Sequence, residues 1–192
     1  MIDLPGRLGP LLLVGVLAVL AGCGASDPSA TAGESVDPTA TRVTAAASPP
    51  PTLPSITRKW TRAGAKATTQ YWFDALTYAQ QSGDLRPVQD ISADNCRACT
   101  QLFTSIRNAF AGGGSVVGGG YTVREMTDEE FSSAVPLLNV VFDRDALSIV
   151  GTGGATMQTV PASAFGSARI RLDFDNRWRV AEVTGLMPFG TG

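Results

Sequence analysis

Two hydrophobic periods divide the second half of the chain. Between Thr61 and Phe110 apolar residues recur at the 3.6-residue spacing of a helix. Beyond Gly120 they alternate at every second residue, as in a strand. The segment TRAGAKATTQYWFDALTYAQQSGD predicts a long amphipathic helix ending near Ser82 and Gly83. Tyr71, Ala75, Tyr78 and Ala79 share one face, which Trp72 and Leu76 widen. Gly83 suits the left-handed residue that closes a helix. Asp84 is placed to cap a short second helix, LRPVQDI, with Pro87 in its first turn. A third helix, CRACTQLFTSIRNAF, carries a stripe of Leu102, Phe103, Ile106 and Phe110 and stops at AGGGSVVGGG. Strands are predicted at Tyr121–Met126, Val135–Asp143, Ala168–Phe174 and Trp178–Thr184, with a short further one at Ser148–Val150. Asp175-Asn176 reads as the tight turn of a hairpin. The rest of the stretch from Arg144 to Gly166, rich in Gly, reads as loop. Three helices followed by an antiparallel meander predict an α+β fold: three N-terminal helices packed on a curved antiparallel sheet of four or more strands.

The first 57 residues have neither period. The apolar run Leu11–Leu20 follows Arg7 and Pro10 and is too short for a membrane span, which needs about 20 apolar residues. It has the length of a signal-peptide core. The run ends Leu20-Ala21-Gly22-Cys23, which resembles a bacterial lipobox. That resemblance implies diacylglyceryl transfer to the Cys23 thiol and cleavage between Gly22 and Cys23. Two or more acyl chains hold a protein stably on a membrane, since each buried CH₂ contributes about 0.8 kcal/mol. From Gly24 to Thr57 the chain is rich in Ala, Ser, Thr and Pro and has no aromatic residue. Such a segment buries too little apolar surface to offset its ordering entropy and reads as a disordered spacer. The expected organisation is a signal peptide at 1–22, a lipidated cysteine and tether at 23–57, and one folded domain at 58–192. It places the protein on the outer face of the cell membrane, in the cell envelope.

Composition removes several functions. The formal net charge is −2 and the basic residues are scattered among acids, which argues against a nucleic-acid partner. The chain contains no histidine, so it lacks the commonest general base and metal ligand.

The long helix YWFDALTYA, lying in a sheet whose last strand is entered through a turn and a Trp, resembles the NTF2-like cone. Adding the lipobox, the S-G-D turn, DNCRACT, the double Gly cluster around Val116-Val117 and the ending DNRWRV, the chain is similar to an actinobacterial lipoprotein family, the domain of unknown function numbered 6318. The likeness spans most of Lys66 to Val183. One departure is that Ser115 stands where the family commonly has an aromatic residue. The family has no established activity, so the resemblance implies a fold and a location rather than a reaction.

The candidate chemistry is sparse. With Cys23 lipidated, two thiols remain, Cys96 and Cys99. Residues i and i+3 of a helical turn lie about 5–5.5 Å apart at Cα, within disulfide range, and the exported side of a membrane is oxidising. The expected result is a local disulfide clip. A redox centre is the alternative, since a thiol at a helix N-terminus is more acidic. Zinc would need two further ligands, and Thr100 stands where haem attachment needs a histidine. The Gly clusters lack the Lys of a phosphate-binding loop and read as turns. The acidic run Asp128-Glu129-Glu130 reads as solvated loop. If the cone is hollow, Tyr71, Asp74, Tyr78 and Trp178 are candidate pocket residues, because some NTF2-like enzymes place an Asp and a Tyr in the cavity; the expectation is instead that Tyr78 lies in the core and Asp74 faces solvent. If it is filled, what remains is a binding module acting through the sheet face or the Gly-rich loops. The expectation is the binding module, a monomer or weak dimer with an unknown envelope ligand or protein partner, no cofactor and no metal.

Overall fold

The computed structural model describes residues 48–130 and 136–189. The signal peptide, Gly22, Cys23 and the tether up to residue 47 lie outside the described residues, as does Val135. Three helices and seven strands follow in order. They are α1 (Arg62–Ser82), α2 (Arg86–Asp90), α3 (Arg97–Phe110), β1 (Ser115–Gly118), β2 (Tyr121–Glu130), β3 (Leu137–Arg144), β4 (Leu147–Val150), β5 (Thr156–Val160), β6 (Ser163–Phe174) and β7 (Trp178–Thr184).

The predicted helices are present, and their ends follow from local chemistry. Thr61 caps α1 by accepting the Gly64 N–H at 3.0 Å. Gly83, at φ 76°, closes it with its N–H on the Ala79 carbonyl. A Cβ on Gly83 would sit 3.0 Å from the Phe110 ring, so the closing turn also seats the end of α3. Asp84, expected to cap α2, lies one residue before its N-cap, Leu85, and accepts the Arg86 N–H at 3.0 Å in the turn that leads into the helix. The apolar face of α1 is wider than predicted. Phe73, Thr68, Thr69 and Gln80 are buried along with Trp72, Ala75, Leu76 and Ala79, because strands pack on one side of the helix and α2 on another.

Two antiparallel sheets surround this helix. The larger has the order β2-β3-β6-β7 and the smaller β1-β4-β5. Leu138, Val140, Ile170, Leu172 and Val180 point from the larger sheet into the core and are fully buried. Their alternation is the period-two signal of the sequence. Phe73 of α1 meets Tyr121 and Phe142 with ring centroids 5.8 and 5.6 Å away, and Trp72 stands edge-on to Phe73 at 5.4 Å. Each such side chain contributes roughly 1.5–3 kcal/mol by leaving water. The outer edge of β7 is closed by the segment before α3. Val180 donates to the Ile91 carbonyl at 2.9 Å, and Ala93 donates to the Val180 carbonyl at 2.8 Å.

Packing on the core reaches before residue 58: Leu53 packs against it and Thr57 is fully buried. Two expectations need correction. The Gly-rich stretches are not loop alone. The first contains β1 and the second forms the turn between β4 and β5, while β6 starts five residues earlier than predicted. Asp128 is not in a solvated loop either. It lies on β2, 3.0 Å from Arg62 and 3.3 Å from Lys66, which join the sheet to the first turns of α1.

Candidate functional site

Cys96 and Cys99 are joined, with their Cα atoms 5.3 Å apart. Both are 1% exposed. The Cys96 sulfur accepts the Cys99 N–H at 3.3 Å and so also caps α3. Burial of both sulfurs suits a structural clip better than an exchanging dithiol, whose attacking sulfur must be accessible.

The four candidate pocket residues are not gathered around a cavity. Tyr71 and Trp178 belong to the core. Burial pushes the Tyr71 phenol above its ordinary pKa, and the Asp90 carboxylate adds to the rise. Trp178 is stacked by Trp60 at 4.5 Å. Asp74 is exposed and accepts a hydrogen bond from Gln70 at 2.9 Å. Tyr78 is half-buried and turned to Asp84, whose carboxyl is lowered to about 2, chiefly by hydrogen bonds from the Arg86 guanidinium and N–H. The Asp–Tyr pair that a cavity enzyme would need is therefore separated: one member faces solvent and the other serves the turn before α2. The physical reason is the width of the buried face. Phe73, Trp72 and Leu76 fill the space between α1 and the sheet, and Asp74 occupies what exposed surface is left. Buried polar chemistry survives at Gln80, whose amide lies 3.5 Å from the Tyr121 hydroxyl and whose carbonyl oxygen has no protein partner. Burial raises the Tyr121 pKa.

The open space lies elsewhere, between α3 and the smaller sheet. A groove of about 970 Å³ runs there. Its origin can be followed across one row of the sheet. Val116 on β1 is buried, its partner Ile149 on β4 is half-buried, and the partner of Ile149, Gln158 on β5, is half-buried too. α3 contacts β1, and its cover fades toward β5. Ala109, Ile149, Met157 and Phe189 supply apolar lining; Thr104, Ser105, Asn108, Thr152 and Gln158 supply hydroxyls and amides. Both Gly clusters contribute, through Gly112 and Gly114 at one side and Gly151 at the other. No described lining residue is ionisable. A second concavity of about 580 Å³ lies between the start of α3 and the β6–β7 face. It is charged, but Arg171 within it is already paired with Glu182 and Asp173, each at 3.0 Å.

The groove residues were missed in the sequence because the polar face of α3 looks like any solvated face. A signal was nevertheless present. Thr100, Gln101, Thr104, Ser105 and Asn108 form an uncharged face, and the 23 residues from Ala146 to Ala168 contain no charge at all. Ordinary exposed surface is dense in Lys, Arg, Glu and Asp. Among the described residues no group of three or more acidic or cysteine side chains is placed to hold a metal ion, and no helix is long and apolar enough to cross a membrane.

A family of unknown function, DUF6318, matches residues 38–184. No curated protein matches the chain. Among solved structures it is similar to a putative aromatic ring hydroxylase from Novosphingobium aromaticivorans, at 12% identity and a TM-score of 0.45, over 67% of this chain and 93% of that one. It is also similar to a putative calcium/calmodulin dependent protein kinase II association domain from Xanthomonas campestris, at 13% identity and a TM-score of 0.39, over 74% and 97% of the two chains. At these scores neither likeness carries an argument about this chain.

Proposed function

Because the chain belongs to the family of unknown function DUF6318, no activity comes with its membership, and we propose from its own geometry that it is a lipid-anchored binding module of the cell envelope. Cys23 carries the lipid on the extracytoplasmic face, and the groove between α3 and the smaller sheet holds the ligand. The observation that carries the reading is the contrast in filling. The interior between α1 and the larger sheet is occupied by aromatic side chains, while the groove is open, partly apolar and free of ionisable groups among its described lining. A few hydroxyls and amides over an apolar floor suit a neutral ligand, held by surface burial and oriented by two or three hydrogen bonds. A charged ligand would lose hydration there without a counter-charge.

Two experiments test the two halves separately. Labelled fatty acid fed to a bacterial host is incorporated into the wild-type protein and not into Cys23→Ser; equal labelling of both removes the anchor. For the groove, N-phenyl-1-naphthylamine, a neutral dye that brightens in apolar sites, is titrated into the chain starting at residue 23 and carrying Cys23→Ser. Saturable binding that Ser105→Arg weakens at least about tenfold, and Ser105→Ala does not, is the expected result. Binding indifferent to Ser105→Arg removes the groove as the site.

A further inference from the structure

We propose that the groove's ligand is an extended polypeptide segment that adds as a further strand to the outer edge of β5 and lays alternate side chains in the groove. This rests on the reading of the groove as the binding site and names what fills it.

Three of the sheet edges can be followed. The edge of β7 is closed by Ile91 and Ala93. The edge of β2 is served by α1, since Lys66 donates to the Met126 carbonyl at 3.3 Å and Thr77 accepts the Tyr121 N–H at 3.0 Å. β5 ends the order β1-β4-β5, and its ladder to β4 is the main-chain pairing it makes among the described residues. Its outward N–H and C=O groups are therefore available to another chain.

Proteins usually guard such an edge with charge, proline, a bulge or a covering element. β5 reads Thr-Met-Gln-Thr-Val and sits inside the uncharged run Ala146–Ala168. No described element covers it; it carries a bulge at Met157, between the pairs Ile149–Gln158 and Val150–Thr156, and Pro161 follows its end, while Thr156, Met157 and Thr159 are exposed. Met157 is 74% exposed. An uncharged, uncovered edge leaves room for strand addition from Gln158 to Val160, beyond the bulge: main-chain hydrogen bonds supply affinity, and pockets for alternate side chains supply selectivity.

The groove supplies those pockets in the right place. Gln158 faces into it from β5, so the residue of an added strand opposite Gln158 stands on the same face of the sheet. Its side chain then meets Thr104 and Asn108 of α3 across the groove. The lengths agree. With its bulge, β5 spans four positions of β4, about 14 Å, and the lining of α3 from Thr100 to Ala109 rises about 14 Å. A segment of four or five residues fills both. Its groove-facing side chains are neutral, since the described lining offers no counter-charge.

A random heptapeptide library displayed on phage is selected against the same Cys23→Ser chain. The tightest binder is synthesised with each backbone amide N-methylated in turn, which deletes one N–H while keeping the side chain. Strand addition predicts a loss of at least about tenfold at alternate positions, with the positions between them tolerant, and loss of binding on Ser105→Arg. A binder that is lost on Ser105→Arg but tolerates N-methylation throughout overturns strand addition and leaves the groove reading standing. A binder indifferent to Ser105→Arg, or no binder at all, overturns the peptide ligand, and the dye titration then decides the groove on its own. A concentration-dependent dimer in sedimentation, abolished by Met157→Lys, assigns the edge to a second copy of the chain and overturns the proposal in that way.

Discussion

The two sheets of this domain bury their inner faces to different extents. The larger sheet closes around α1, and its core positions from Leu138 to Val180 are sealed by Trp72, Phe73, Tyr121, Phe142 and Trp178. The smaller sheet is covered at β1 and uncovered by β5, so the same α3 that buries Val116 leaves a groove beside Gln158. The difference teaches where to look for function. A fold of this shape invites a site inside the cone, and here the aromatic side chains occupy that space. The incomplete cover of the second sheet creates the accessible surface instead.

Perturbing the filled region should have the largest effect. Phe73→Ala removes the ring that meets Trp72, Tyr121 and Phe142, and is expected to cost about 3–5 kcal/mol of stability, measured by denaturant unfolding. A cost below about 1 kcal/mol would mean that the interior is loosely packed and that the contrast between the sheets is false. Next comes Gly118→Ala at the junction of the sheets. Gly118 has φ +78°, and a Cβ there would lie 2.2 Å from the Ala146 carbonyl oxygen. Left-handed strain and the backbone clash together are expected to cost at least about 2 kcal/mol, with amide exchange accelerated in β1 and β4 more than in β6 and β7.

How much of this was legible in the sequence follows the same division. The helices and the strands of the larger sheet were readable because burial on one face imposes a period on the residues. Ile170, Leu172 and the hairpin at Asp175-Asn176 are examples. β5 was not readable. Its burial along Thr156–Val160 has no clean alternation, because one face of that strand is only partly covered and selection for apolar residues is relaxed there. β1 was hidden by the glycines on both sides of it. The Cys96–Cys99 clip was legible from spacing and compartment logic. That Asp74 faces solvent was legible from its place off the apolar stripe, and it is exposed; Tyr78, expected in the core, is only half-buried, because it lies at the margin of the buried face near the turn before α2.

A smaller effect is expected at the clip. The Cys96→Ser, Cys99→Ser double variant should fold with a loss of up to about 2 kcal/mol, since the closed loop is short, and a hydroxyl at position 96 can still cap α3 in place of the sulfur that now does so. Intact-mass analysis with alkylation should label neither thiol of the wild type before reduction. The smallest effect is the pH dependence of Asp84. Its carboxyl titrates near 2 when folded against a reference of 3.8, so it binds its proton less readily in the folded chain. Its stabilising contribution is present above the reference value and is lost as the pH falls through about 2. Asp84→Asn should flatten that part of the acid-unfolding curve, and Tyr78 and Arg86 should be the residues whose resonances move with it.

The central claim is that the smaller sheet carries the accessible site while the cone is filled. It is tested most directly by mapping the bound dye N-phenyl-1-naphthylamine on the amide and methyl spectrum of the Cys23→Ser chain. Shifts concentrated at Ser105, Asn108, Ile149, Met157, Gln158 and Phe189, with Phe73, Tyr121, Phe142 and Ile170 unmoved, are the predicted result. Shifts centred on Phe73, Tyr121 and Phe142 would place the ligand inside the cone and contradict the account.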